Sequence, residues 1–235
     1  MKGSRCLVIT RGFFGDILFA TSIADKLKSE QGFTEVDYLI GFPQMTRLVE
    51  NNPAIDRVYT STYPSPDPVS VNIDISQYTK VIQLQSLSYQ EPPAYEYQQF
   101  ADIQDSTANY KVYTDPSYDE IAKDVIVNMK QNGKKVLAVL SNWEPKTYLF
   151  TPDQYAAGID VPNLGYGGSH RDIQKIITDL EEHFTLIEVG VPIEYNQAMT
   201  STITDDNQKS LLFEASLMKY CDAFVGTDGG LATIA

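Results

Sequence analysis

A short apolar run near the start of the chain enters a helix through a glycine turn, and this arrangement strongly limits the available folds. Residues 6–10, CLVIT, have the length and β-branched content of a buried strand. From Asp16 to about residue 30, apolar side chains recur at helical spacing. They predict one buried helix face: Ile17, Ala20, Ile23, Ala24 and Leu27. A strand that leads into an amphipathic helix is the first half of a parallel βαβ unit.

The alternation of strand and helix continues and predicts an α/β protein with open parallel sheets. Gly32 predicts the end of the first helix. Further strands are predicted at 34–41, 54–60, 78–85, 134–143, 185–192 and about 222–226, and helices at 43–52, 117–133, 171–184 and 208–221. The new apolar start at residue 134 predicts two domains, 1–132 and 133–235. We expect the second domain to be truncated or reduced, because a new helix has only just begun after residue 230.

Composition and charge exclude several classes of function. The 235 residues include 31 acidic and 18 basic ones, and the formal charge of −13 opposes binding to a nucleic-acid backbone. Cys6 and Cys221 are too few for a disulfide framework and lack metal-binding spacing, so we expect reduced, buried thiols. The start of the chain lacks a signal-peptide pattern, and no apolar run approaches the roughly 20 residues of a membrane span. These features indicate a cytoplasmic protein.

Most of the 15 tyrosines lie between Tyr59 and Tyr118, and the segment 89–106 within this stretch mixes tyrosines, prolines and acidic residues without clear periodicity. Aromatic faces suit the C–H face of a pyranose ring, so this stretch is a candidate sugar-binding surface. The alternative, which we favour, is interior packing with the hydroxyl groups at the surface.

The glycine turn after the first strand carries a candidate catalytic residue. Gly12 and Gly15 match neither a dinucleotide fingerprint nor a P-loop. They do follow the carboxyl end of a strand, where open α/β sheets bind ligands. Asp16 at the helix start has two explanations. It caps the helix and complements the helix dipole, or it is a general base that takes a proton from an acceptor hydroxyl.

Candidate anion-binding residues lie in the second half of the chain. Asp228, Gly229 and Gly230 follow a strand and open a helix, so their backbone N–H groups can face a phosphate. Glycines also serve plain turns. Lys146 and Arg171 are candidate cations for a departing diphosphate, against the commoner alternative of solvated loop residues. No metal-binding motif is apparent in the sequence.

The order of these segments resembles the heptosyltransferase-like enzymes of glycosyltransferase family 9. RGFFGDILFATSIADKLK, EVDYLIG, RLVENNPAIDRVY and YTKVIQLQ are similar to the N-terminal half of that family. LIEVGVPIE followed by SLLFEASLMKYCDAFVGTDGGLATIA is similar to its C-terminal half. The resemblance implies a GT-B fold, in which two Rossmann-like domains with parallel sheets face a cleft. It also implies inverting, metal-independent transfer from a nucleotide-sugar donor to a glycan acceptor such as lipopolysaccharide, with no other cofactor.

The resemblance also assigns roles to residues. It implies that Asp16 is the catalytic base, in a loop that Gly12 and Gly15 turn toward the substrate. The donor side is implied to include Gly190, Glu194, Asp228, Gly229, Gly230 and Thr233, with Lys146 or Arg171 near the phosphates. Glu194 corresponds to a ribose ligand, and Thr233 takes the place of a histidine in the family. Membrane-surface contact is expected only transiently, through the acceptor.

Two alternatives stay open at this point. A non-catalytic GT-B relic or fragment would bind sugar, nucleotide or a protein partner, and Thr233 and the incomplete second half favour it. A nucleotide-sugar 2-epimerase shares the GT-B layout and would be separated from a transferase by its product.

Overall fold

The protein is described by a computed structural model that covers residues 4–12, 14–41, 45–61, 66–84, 91–104, 110–130, 133–140, 170–189, 211–226 and 234. Contacts divide the chain into two compact units, between Pro116 and Ser117. Each unit contains a parallel sheet, which confirms the α/β class. The domain division predicted after residue 132 stays a prediction; the contacts group the helix that precedes it with the second unit.

The first unit alternates strands and helices in the predicted order. β1 (Arg5–Ile9) leads into α1 (Phe14–Ala20), which continues through a 3₁₀ turn (Thr21–Ile23) into α2 (Ala24–Ser29). The elements that follow are β2 (Glu35–Ile40), α3 (Thr46–Glu50), β3 (Arg57–Thr60), two 3₁₀ turns (Val69–Val71 and Ile75–Gln77), β4 (Lys80–Gln83) and α4 (Pro93–Phe100). The four strands form a parallel sheet in the order β3-β2-β1-β4.

This sheet is covered on both faces. The helical residues predicted to be buried are all fully buried: Ile17, Ala20, Ile23, Ala24 and Leu27. Tyr38 of β2 lies on the same side, since its hydroxyl donates a hydrogen bond to the Ala20 carbonyl at 2.8 Å. On the other face, Leu7, Ile9 and Leu39 pack against the connection from β3 to β4. Full burial of a leucine or isoleucine side chain contributes roughly 1.5–3 kcal/mol to stability. Apolar contacts on both faces of the sheet therefore stabilise β1 in its position between β2 and β4.

α4 lies in the segment 89–106, for which the sequence predicts no regular element. It begins at Pro93, whose fixed φ suits the first position of a helix. Its buried side includes Glu96 and Gln98 beside Ala94 and Tyr97. The buried face therefore carries no apolar stripe that periodicity could detect. The helix contacts α1 and the 3₁₀ turn after it.

The second unit repeats the alternation around a smaller described sheet. Its elements are α5 (Pro116–Met129), β5 (Lys135–Leu140), α6 (His170–Glu181), β6 (Phe184–Val189), α7 (Leu211–Tyr220) and β7 (Ala223–Val225). The strands are parallel in the order β6-β5-β7. α5 packs on α7, because Tyr118 meets Phe213 edge-on at 5.7 Å between ring centroids and Lys219 lies 2.6 Å from Asp119.

Both units fix the start of an outer strand with the same device, here called the aspartate–lysine clasp. In the first unit, Asp56 precedes β3 and accepts a 2.7 Å hydrogen bond from the N–H of the second residue of β2. Lys28 lies 2.8 Å from the same carboxylate. In the second unit, Asp222 precedes β7, accepts a 2.8 Å bond from the second residue of β5, and lies 2.9 Å from Lys130.

Candidate active site

The strand order places a topological switch point at the carboxyl end of β1. The chain leaves β1 toward β2, whereas β4 lies on the opposite side of β1. Open α/β sheets bind ligands where connections diverge in this way. Hydrogen bonds hold the end of β1 from both sides: the Thr10 N–H donates to the Leu39 carbonyl at 3.0 Å, and the Leu84 N–H donates to the Ile9 carbonyl at 2.9 Å. The loop that follows therefore starts from a fixed point.

Gly12 leaves the space that the Asp16 carboxylate occupies. The φ angle of Gly12 is +114°, a conformation that L side chains rarely adopt. A Cβ added there would lie 2.6 Å from Cγ and 2.7 Å from Cβ of Asp16, and closer still to Oδ2. The Asp16 side chain thus folds back over Gly12, three residues after the end of β1. The glycine turn and the acid that the sequence singles out are one structural unit.

Asp16 is the third residue of α1, in its first turn, so it does not occupy the N-cap position that the capping explanation required. A carboxylate in the first turn still complements the helix dipole, typically by about 0.3–1 kcal/mol. Gly15 is the second residue of α1 and makes no left-handed turn, because Gly12, Gly32 and Gly133 are the glycines with positive φ in the described ranges. The sharp turn expected from two glycines depends on Gly12 alone.

The Asp16 side chain is half-buried at the carboxyl edge of the sheet, on a helix turn that follows the end of β1. Its role as a general base stays a prediction. A base must come within about 2.6–3.2 Å of the hydroxyl that it deprotonates, and partial exposure leaves that approach open.

The other predicted site residues belong to the second unit. Arg171 is the second residue of α6, but its side chain is not described. Gly226 marks the end of β7, directly before the segment that carries the predicted turn. The remaining candidates lie outside the described residues: Lys146, Gly190, Glu194, Asp228, Gly229, Gly230 and Thr233. Their roles stay predictions.

Several tyrosines of the first unit and of α5 serve interior packing, the alternative favoured from the sequence. Tyr97 is buried, and Tyr110 meets Phe19 edge-on at 5.0 Å between ring centroids. The Tyr78 hydroxyl donates a 2.6 Å hydrogen bond to the buried Asp37. Burial, together with this carboxylate, raises the pKa of Tyr78. These described rings pack within the fold.

The described residues hold neither a metal-binding cluster nor a membrane-spanning helix. No group of three or more His, Cys, Asp or Glu side chains is arranged to hold a metal ion there. Within the same ranges, no helix has the length and apolar character needed to cross a membrane.

No family model matches the sequence, and no curated protein sequence matches it. The fold, however, is similar to solved glycosyltransferases. A glycosyl transferase family 9 structure from Veillonella parvula DSM 2008 aligns at a TM-score of 0.65 and 10% identity, over 100% of this chain and 79% of that one.

Two further structures extend this similarity. E. coli ADP-heptose LPS heptosyltransferase II aligns at a TM-score of 0.55 and 11% identity, over 98% of this chain and 81% of its own. E. coli heptosyltransferase WaaC with ADP-2-deoxy-2-fluoro heptose aligns at a TM-score of 0.51 and 12% identity, over 98% of this chain and 84% of its own. The expected resemblance to family 9 is confirmed at the level of the fold, which is of the GT-B type.

Proposed function

We propose that this chain is a glycosyltransferase that transfers a sugar from a nucleotide-sugar donor to a glycan acceptor, with inversion and without a metal ion. The observation that carries the proposal is the Asp16 carboxylate, seated over Gly12 at the ligand-binding edge of β1. The fold shared with family 9 glycosyltransferases supports the reaction class. The geometry of Asp16 supports the assignment of the base.

In the proposed reaction, Asp16 acts on the acceptor. The acceptor oxygen attacks the anomeric carbon while its proton passes to a carboxylate oxygen of Asp16. The new glycosidic C–O bond forms as the bond between the anomeric carbon and the diphosphate oxygen breaks. The electron pair of that bond leaves with the nucleoside diphosphate. Attack opposite the leaving group inverts the anomeric configuration.

We assign the donor to the second unit. The 228–230 turn would bind the diphosphate, Glu194 the ribose, and Lys146 or Arg171 would stabilise the developing phosphate charge. An ADP-linked heptose is the first donor to test, because heptosyltransferase II is named for ADP-heptose and the WaaC structure contains an analogue of it. The proposed acceptor is a lipopolysaccharide-type glycan, which would bring a cytoplasmic enzyme to a membrane surface only through its substrate.

The decisive experiment follows transfer from ADP-, GDP-, UDP- and CMP-linked sugars to a lipopolysaccharide core acceptor, with mass analysis of the products. Asp16→Asn should lower turnover by about 10²–10⁴, the usual contribution of a general base, while donor binding is retained. Asp124→Asn is the matched control, because Asp124 is exposed on α5. It should leave turnover unchanged.

Three results would contradict the proposal. An epimerised nucleotide sugar with no transfer would favour the 2-epimerase. A donor that stabilises the protein but gives no turnover with any acceptor would favour a binding relic. Equal turnover in Asp16→Asn and the parent would remove Asp16 from the mechanism.

A further inference from the structure

The outer side of β3, the side that faces away from β2, is a free strand edge in the described part of the chain. Within that part, β3 lies at the end of the first sheet and pairs with β2 alone. The Ser61 N–H donates a 2.9 Å hydrogen bond to the Ile40 carbonyl of β2. Alternate residues of a strand direct their N–H and C=O groups to the same side, so Tyr59 also faces β2. Val58 and Thr60 therefore direct theirs outward.

A cavity of about 350 Å³ opens beside the outer side of β3. Consecutive strand residues point to opposite faces of a sheet, yet Arg57, Val58 and Tyr59 all line this cavity. A cavity that touches three consecutive strand residues lies along the edge of the strand and not over one face. The other lining residues belong to α3 and to the turn that follows it: Glu50, Ile55 and Asp56. The outward backbone groups of β3 are therefore accessible to a further strand.

The sequence of β3 lacks the features that usually prevent an exposed strand from pairing. Edge strands of natural proteins commonly carry a proline, a lysine or an inward-pointing charge. After Arg57, β3 consists of valine, tyrosine and threonine, which are three of the residues most enriched in strands. The outer side of β3 is therefore suited to strand pairing.

Antiparallel pairing with β3 of a second copy satisfies all of these outward groups in one register. When Val58 lies opposite the partner's Thr60, the two residues exchange both of their hydrogen bonds, and a two-fold axis repeats the exchange. The axis then passes between the two Tyr59 residues, and Arg57 lies opposite the partner's Ser61. A shift of two residues in either direction would leave outward groups of the strand unpaired.

The same register brings opposite charges together. Ser61 lies beside Asp67, because its hydroxyl oxygen accepts a 3.4 Å hydrogen bond from the Asp67 N–H. Side chains that lie opposite each other on paired strands have Cβ atoms about 4.5–5.5 Å apart, so the exposed Arg57 reaches the partner's exposed Asp67. The two-fold axis makes this contact twice. A formal charge of −13 opposes self-association at long range, so local pairing of opposite charges is what a second copy requires.

We infer that two copies of this chain associate through the outer sides of their β3 strands, antiparallel about a two-fold axis at Tyr59. The inference does not depend on the proposed function. Since the contact joins one short strand from each copy, we expect a transient dimer with a Kd on the order of 10–100 μM.

Sedimentation velocity of the full chain over a wide range of protein concentration tests the inference. The buffer should contain about 0.15 M salt, which screens charges more than about 8 Å apart. Arg57→Glu and Asp67→Arg should each weaken the dimer about tenfold or more, because each places like charges opposite each other at both contacts. Lys123→Glu is the matched control: it makes the same change in net charge on α5, where Lys123 is exposed, and should change nothing.

A mixture of the two charge variants tests the register itself. In the mixed dimer of Arg57→Glu with Asp67→Arg, both contacts again join opposite charges. The mixture should therefore associate about as tightly as the parent, although neither variant does so alone. Recovery would also show that both variants are folded.

Val58→Pro tests the backbone pairing. It removes an N–H that faces away from β2, and proline is tolerated at such positions of edge strands. We expect this variant to stay monomeric with an unchanged fold by circular dichroism.

Several results would overturn the inference. A parent that is monomeric at every concentration would do so, as would a dimer that Val58→Pro leaves intact. A mixture of the charge variants that fails to recover association would exclude the two-fold register. A monomeric parent that binds an alternating valine–lysine peptide, and loses it in Val58→Pro, would assign the outer side of β3 to a strand of another protein.

Discussion

Replacement of Gly12 by alanine tests whether Asp16 is held where the structure has it. A Cβ at residue 12 would lie 2.6 Å from Cγ and 2.7 Å from Cβ of Asp16. Carbon atoms in good contact are about 3.5–4.0 Å apart, so the loop or the aspartate must move by about 1 Å. The φ of +114° adds backbone strain that glycine does not experience.

The magnitude has two parts. Holding alanine at an unfavourable φ costs about 1–3 kcal/mol, and the forced overlap adds about 1–3 kcal/mol, as overpacking does elsewhere. Gly32→Ala is the matched control, because Gly32 also has a positive φ, +73°, but a Cβ there would meet nothing within 4 Å. That variant should lose only about 1–2 kcal/mol. The excess loss in Gly12→Ala therefore combines the contact with Asp16 and the difference in backbone strain between φ +114° and φ +73°, which the double variant separates.

The assay is equilibrium unfolding of the parent, Gly12→Ala, Asp16→Gly and the double variant. Asp16→Gly removes the atoms that the new methyl group would strike. We expect Gly12→Ala to cost about 1–3 kcal/mol less in that background, the size of a direct coupling between touching residues. If the chain is a transferase, Gly12→Ala should also lower kcat by about 100-fold, as a shift of about 1 Å in a catalytic group does.

A coupling of zero between the two substitutions would refute the reasoning. So would a Gly12→Ala variant no less stable than Gly32→Ala, because the carboxylate would then not lie over the glycine. If the two substitutions are coupled but Gly12→Ala keeps the full kcat, the contact between residues 12 and 16 is confirmed and Asp16 is removed from the reaction.

Three further predictions concern the rest of the molecule. The hydrogen bond from Lys130, together with a backbone N–H, lowers the pKa of Asp222. The ionised Asp222 carboxylate therefore contributes its full stabilisation above about pH 4, the ordinary aspartate pKa. This stabilisation is lost as the pH falls through the lower pKa that Asp222 has in the folded protein. The unfolding midpoint should show this loss in the parent and not in Asp222→Asn. Leu27→Ala should lower the free energy of unfolding by about 2–5 kcal/mol, since Leu27 is fully buried, as denaturant titration will measure. Cys6 is buried as expected, whereas Cys221 is only half-buried. Desolvation raises the pKa of both thiols to about 12, so both should resist a disulfide reagent at neutral pH until the protein is unfolded.

Periodicity predicted the parts of the fold whose burial depends on apolar side chains. The predicted buried face, from Ile17 to Leu27, is the buried face observed, because helical spacing and apolar character coincide there. The same reasoning missed α4, whose buried side includes Glu96 and Gln98. A helix that carries polar residues on its buried side gives no periodic apolar signal. Pro93 at its start was the available cue.

The sequence predicted where the candidate site lies, but not how its residues are arranged. Gly12 and Asp16 could be singled out because they follow the carboxyl end of the first strand of a predicted parallel sheet. That Gly12 alone makes the turn, and that the Asp16 side chain lies over it, depends on atoms that approach only after the helix has formed. The aspartate–lysine clasps were invisible for a similar reason, since Lys28 and Asp56 are brought together by the completed β2–β3 pair.

The clasp and the candidate site lie at opposite edges of the first sheet. We therefore expect a change in the clasp to affect the stability of the fold and not the reaction at the site. Asp56 sets the register of β3 against β2 at the amino edge, where a slip of one residue would turn buried side chains outward. The carboxyl edge is then free to hold the glycine turn at Gly12 and the Asp16 carboxylate beside it. Asp56→Asn should therefore lower the unfolding midpoint while the folded fraction keeps its transfer rate at saturating substrate. A fall in that rate at temperatures where the variant is fully folded would show that the two edges are coupled.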